Sequence, residues 1–106
     1  MNALILDTET HDLNGYPIEI AYAPCSFEQG VLVINQGEVF DEYFSCPEPI
    51  ALGALATHHI LETDIAEKPS FDTFRMPQDV QYLIGHNIDY DITAIQKCQP
   101  EFTVKG

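Results

Sequence analysis

NALILDTET, residues 2–10, is the stretch on which the fold turns. Residues 2–8 are a short apolar run ending in acids, and the pattern predicts a buried β-strand. Asp7 and Glu9 stand two apart on it, so both carboxylates leave the same face. Like charges held close at the end of a buried strand are costly, and a divalent cation relieves them. Carboxylate oxygens are hard ligands that suit Mg²⁺ or Mn²⁺ better than zinc. The competing reading is an ordinary solvated strand end.

Outward from this strand, Asp12-Leu13-Asn14-Gly15 predicts a turn and residues 17–23 a second strand, which Pro24 breaks or bulges. Residues 31–35 predict a third strand, Gln36-Gly37 a turn, and residues 38–45 a fourth strand. Together they suggest an antiparallel meander with an extended hairpin over 24–35. After Pro47 and Pro49 the chain changes character. Residues 50–61 predict a short helix and a loop, Thr63-Asp64 a capped turn, and Pro69 and Pro77 restrict any helix between them to a turn or two. Residues 80–85 fit a strand or a helix-to-strand junction. Residues 88–98 predict a helix, with Ile88, Ile92, Ile95 and Cys98 on its apolar stripe, stopped by Pro100. The order implies a mixed α/β domain with an antiparallel front half.

The chain has 106 residues, a size for one domain, and 45% of them are hydrophobic, which argues against disorder. Seventeen acids against four basic residues give a formal charge of −13. A protein that grips a phosphate backbone through Lys and Arg alone needs several of them. Either the partner is no polyanion, or a divalent metal supplies the positive charge. No apolar run is long enough to span a bilayer, and the first residues carry no positive flank. Cys25, Cys46 and Cys98 are scattered, so the expected location is a reducing cytoplasm.

A second chemical signal is Gly85-His86-Asn87-Ile88-Asp89-Tyr90-Asp91, which joins a strand end to a helix start. Asp91 falls in the first helical turn, where it can face Asp7 and Glu9. The alternative is that Asp89 and Asp91 only satisfy the helix dipole.

Taken in order, these segments resemble the DEDD superfamily of 3′–5′ exonucleases, the DnaQ-like or RNase T-like group. Leu4 through Thr10 is similar to the first motif, Asp-x-Glu after a buried strand, and Ile18-Glu19-Ile20-Ala21 to the strand that follows. Residues 49–60 and 66–71 are similar to the "His-x-Ile … Pro-x-Phe" segment, closest in character to the exodeoxyribonuclease X branch. His86-Asn87-Ile88-Asp89-Tyr90-Asp91 matches the second motif, His-Asn-x-x-Phe/Tyr-Asp. The resemblance implies a ribonuclease-H-like mixed sheet with flanking helices. It implies hydrolytic release of nucleotides from DNA 3′ ends, with single-stranded ends as substrate and RNA as an alternative. Asp7, Glu9 and Asp91 would be catalytic and hold two Mg²⁺ or Mn²⁺ ions. Thr10, Leu13, His58, His86 and Asn87 would lie near the substrate.

The family's fourth carboxylate and its His or Tyr base come from a third motif downstream of the second. Residues 92–106 contain no Asp, His or Tyr. The expectation is that residues 1–106 correspond to the N-terminal two-thirds of an exonuclease domain, lacking its C-terminal part. Activity is then impaired, and a homodimer is one remedy for an uncovered sheet. The family's Gly-Leu after the first motif is replaced by His11-Asp12-Leu13, with Gly15 later. The rival functions are an inactive exonuclease-like fragment that keeps a binding role and an acidic interaction protein that mimics DNA. The plainer expectation for His58 and His59 is bonding to backbone, and for His86 and Asn87 is fixing the turn through side-chain bonds. Tyr43, Phe44, Phe71, Phe74, Tyr82 and Cys98 are expected in the core.

Overall fold

The computed structural model describes residues 3–104. Its elements in order are strand β1 (Ala3–Thr10), β2 (Pro17–Glu28), β3 (Val31–Ile34), β4 (Phe40–Tyr43), helices α1 (Leu52–His58) and α2 (Glu62–Ile65), strand β5 (Tyr82–Ile84) and helix α3 (Ile88–Cys98). The sheet is mixed, as expected: β1 pairs antiparallel with β2 and parallel with β5. The chain reaches β5 from β4 by a crossover through α1 and α2. α3 then packs on the sheet face that carries Leu4, Leu6 and Leu83, and Ile95 and Cys98 complete that core with Phe44, Phe74 and Met76. A smaller cluster of Ile18, Ile60 and Ile65 seats α2.

The structure corrects several local expectations. β2 does not stop at Pro24. It runs through to Glu28, because a residue's N and C=O leave the same strand edge. The Pro24 carbonyl accepts from Asn35 N at 2.8 Å. The missing N–H therefore faces the β3 side and β1 loses no ladder bond. The front half is also no simple meander. β4 returns to pair with β2 over Glu19–Tyr22, along the same edge that β3 occupies further on. A 3₁₀ turn over Gln36–Glu38, capped by Asn35 Oδ1 accepting from Gly37 N, redirects the chain. Tyr22 and Phe40 then stack at 4.8 Å. Tyr82 is 38% exposed and Tyr43 and Phe71 only half-buried, so of the aromatic set Phe44 and Phe74 alone are fully core. On α3 the buried set is Asp91, Ala94, Ile95 and Cys98, and Ile88 and Ile92 lie at its margin.

Candidate active site

β5 ends at Ile84 while β1 continues to Thr10, so the far half of β1 has no strand on that edge. Asp91 takes the place of one. Its Oδ1 accepts from Thr8 N at 3.0 Å and from the Thr8 hydroxyl at 2.7 Å. The fold allows this because Gly85 passes close to β1. A Cβ on Gly85 would lie 2.9 Å from Leu6 O and from Ile88 Cδ1, and 3.5 Å from Asp91 Oδ2. The carboxylate of Asp91 thus meets the residue between Asp7 and Glu9.

The electrostatics record the same proximity. Burial pushes the Glu9 carboxyl above its ordinary range, and the charges of Asp7 and Asp91 push it further, while His58 pulls it down. Burial also raises Asp91, against the two Thr8 hydrogen bonds that hold it ionised, and Asp7 adds to the rise. Glu19 lies directly across from Glu9 in the β1–β2 register. Burial and a hydrogen bond to the Asp41 carboxyl push it to about 7, with Glu9 and Asp7 adding repulsion. Acids from three strands and a helix thus crowd one corner. Among the described residues the one ion pair, His11 with Glu48, involves none of them.

A cleft of about 450 Å³ opens beside this corner, lined by Glu9, Thr10, Leu13, Ala54, His58, Asn87 and Tyr90 among others. That volume is in the range of small-ligand sites. Its wall is the loop after β1, pinned to α1. Ala51 N donates to His11 O at 2.7 Å, and His58 Nε2 meets Thr10 O at 3.1 Å. His58 Nδ1 accepts from Ile60 N, so its Nε2 carries the proton and both ring nitrogens are engaged with backbone. His59 caps α1 in the left-handed region, at φ 61°, and is exposed. Leu13 is 79% exposed at the cleft mouth. Thr10 is buried, its hydroxyl donating to Asp12 O and in short contact with the Tyr90 hydroxyl. The side chain of Asn87 makes no capping bond, against expectation, and lines the cleft instead. His86 is exposed and does not line the cleft.

Sequence reasoning overlooked four residues here. Tyr90 stands in the Gly85–Asp91 segment, but nothing in its spacing gives its hydroxyl contact with Thr10. Glu19 was visible as part of the second strand, but its cross-strand place opposite Glu9 depends on register. Asp41 joins it only because β4 returns to β2. His11 is buried: its Nδ1 accepts from Tyr16 N at 3.0 Å and its Nε2 lies 3.1 Å from a Glu48 oxygen. The ring rests on Gly15, where any Cβ would come within 2.5 Å of it. His11 and Gly15 are therefore one compensated unit.

The donor set suits a hard divalent cation: three carboxylates at one corner, none in an ion pair and two of them raised in pKa by burial and mutual repulsion. As the side chains lie, no three His, Cys, Asp or Glu groups among the described residues stand close enough to hold an ion. Asp91 has committed one oxygen to Thr8, and Asp7 and Glu9 leave the strand on its other face.

The chain matches the solved structure of exonuclease X in complex with 5′ overhanging duplex DNA, with a TM-score of 0.65 and 26% identity over 87% of this chain. The fold is exonuclease-like. The match takes in 52% of the exonuclease X chain, so this chain spans about half of its length. No protein-family model and no curated protein matches. Among the described residues, no helix of this exonuclease-like fold is long and apolar enough to cross a membrane.

Proposed function

We propose that Asp7, Glu9 and Asp91 are the metal-binding part of a 3′–5′ exonuclease site that takes DNA 3′ ends, with Mg²⁺ or Mn²⁺ as cofactor. The observation that carries the reading is the anchoring of Asp91 on Thr8, between Asp7 and Glu9, at the edge of a cleft. The gathering of acids at one corner, with Glu9 on the cleft wall, favours this reading over an acidic DNA mimic, which needs a wide and even acidic surface. The DNA in the exonuclease X complex supports DNA as the substrate class.

Bound cations would neutralise the carboxylates, stabilise charge on the phosphate and activate water. The chain's own residues supply the rest. Thr8 favours the ionised form of Asp91 by two donated hydrogen bonds, against the effect of burial. Leu13 offers an apolar edge for the terminal base. Thr10, His58 and Asn87 bound the sugar-phosphate path. Because both nitrogens of His58 are engaged by backbone, it does not serve as the general base. Residues 92–106 offer no Asp, His or Tyr for that role. General-base help is worth about 10²–10⁴ in rate, so the 106-residue chain is expected to turn over slowly or not at all.

Calorimetry with Mn²⁺ tests the site: the native chain binds and Asp7→Ala does not. Metal-dependent release of mononucleotides from single-stranded DNA, with RNA in parallel, tests the activity. Absence of any Asp7-dependent Mn²⁺ binding would end the nuclease reading. Robust turnover by the isolated chain would end the claim of impairment.

A further inference from the structure

β3 is an edge strand at one end of the sheet, and all four of its residues are exposed, with Val31 at 62%. Proteins normally blunt such an edge with a charge, a proline or a bulge. Residues 29–37, Gln-Gly-Val-Leu-Val-Ile-Asn-Gln-Gly, contain neither charge nor proline in a chain that carries −13. Two copies that each carry −13 repel, and an uncharged edge strand is a place where they can meet. No charge on this edge selects a different partner.

The hydrogen-bond pattern is also self-complementary. Asn35 N donates inward to Pro24 O. By strand alternation Val33 and Val31 face inward too, toward Ser26 and Glu28, and the N–H and C=O groups of Leu32 and Ile34 face outward. An antiparallel pairing about a two-fold axis at Val33 sets Leu32 opposite Ile34 of the second copy, and the reverse. All four outward groups of each strand are then used. We propose that β3 is a homodimer edge, joining two copies of this chain into one continuous sheet by antiparallel pairing centred on Val33. The contact lies beyond the Ala3 end of β1, since β3 pairs with Cys25–Glu28 and Cys25 is opposite Ala3. It is therefore remote from Asp7, Glu9 and Asp91, and Asp7→Ala should leave it intact whatever becomes of the nuclease reading.

Sedimentation of the full chain between about 1 and 100 µM should show a monomer–dimer equilibrium, as a small interface gives. Leu32→Pro removes an outward N–H but no bond to β2, and should weaken association about tenfold or more with the circular dichroism unchanged. Cross-linking supplies a second readout, with Cys46→Ser in every variant because Cys25 and Cys98 are buried. Val33→Cys should form a disulfide between copies, since facing non-hydrogen-bonded residues lie about 4.5 Å apart at Cα. Val31→Cys should not, because the two copies of residue 31 would be about 13 Å apart along the strands. A monomer at all concentrations, a polymer larger than a closed pair, or a dimer in which Val33→Cys links no faster than Val31→Cys overturns the proposal.

Discussion

The Thr8 hydroxyl and amide both donate to a single oxygen of Asp91, a buried carboxylate at 5% exposure. Thr8→Val keeps the shape and the amide bond but deletes the hydroxyl donor. Hydrogen bonds to charged groups contribute about 1.5–3 kcal/mol, so urea denaturation should show a loss of that size. Mn²⁺ affinity should fall with it, as Asp91 loses a group that favours its ionised form. Glu19 gives a pH signature. Its carboxyl sits at about 7 in the folded chain against an ordinary 4.5. The folded state therefore holds this proton more tightly than the unfolded state does. The resulting contribution favours folding below about 4.5 and is lost as pH rises through about 7. Denaturation midpoints measured without metal should fall across that window. Glu19→Gln, which keeps a partner for Asp41, should flatten the slope.

At the scale of elements, two junctions around the corner behave oppositely. Where β5 turns into α3, Gly85 lies so close to β1 that a methyl group would strike a backbone oxygen at 2.9 Å. Gly85→Ala should cost about 1–3 kcal/mol, as overpacking does. It should also weaken Mn²⁺ binding, because the added methyl displaces the first turn of α3 that carries Asp91. At the end of α1, His59 occupies the left-handed region, which costs a residue with a Cβ about 1–2 kcal/mol. His59→Gly should therefore stabilise the chain by about 1 kcal/mol in a thermal melt, with Mn²⁺ binding unchanged, since His59 faces solvent and not the cleft.

For the whole molecule the dominant fact is the charge of −13, part of it gathered at a single corner. A ligand that binds only the folded state stabilises it by mass action, about 2.7 kcal/mol at a hundred times its dissociation constant. Mn²⁺ or Mg²⁺ at neutral pH should raise the melting temperature well beyond an equal ionic strength of NaCl. Asp7→Ala should reduce the metal's effect to that of the salt. A rise that survives Asp7→Ala would mean that the cations only screen the surface.

The sequence by itself determined the order of most elements and named the candidate carboxylates. Apolar patterning placed β1 and α3 within two residues, composition placed a short helix within 50–61, and the spacing of Asp7 and Glu9 set them on one face of a strand. Those are properties of neighbours along the chain, readable from a period of two or of 3.6. Tertiary structure decided what meets what. That Pro24 is harmless depends on which edge its nitrogen faces. That β4 returns to β2 depends on β3 being too short to fill the edge. That Glu19 and Asp41 join the acidic corner depends on register and on that return. Asp91 reaches Thr8 only because β5 stops early and Gly85 lets the turn close onto β1. Contacts between segments up to 83 residues apart are set by packing and by the need to satisfy buried hydrogen-bonding groups, and no local pattern encodes them.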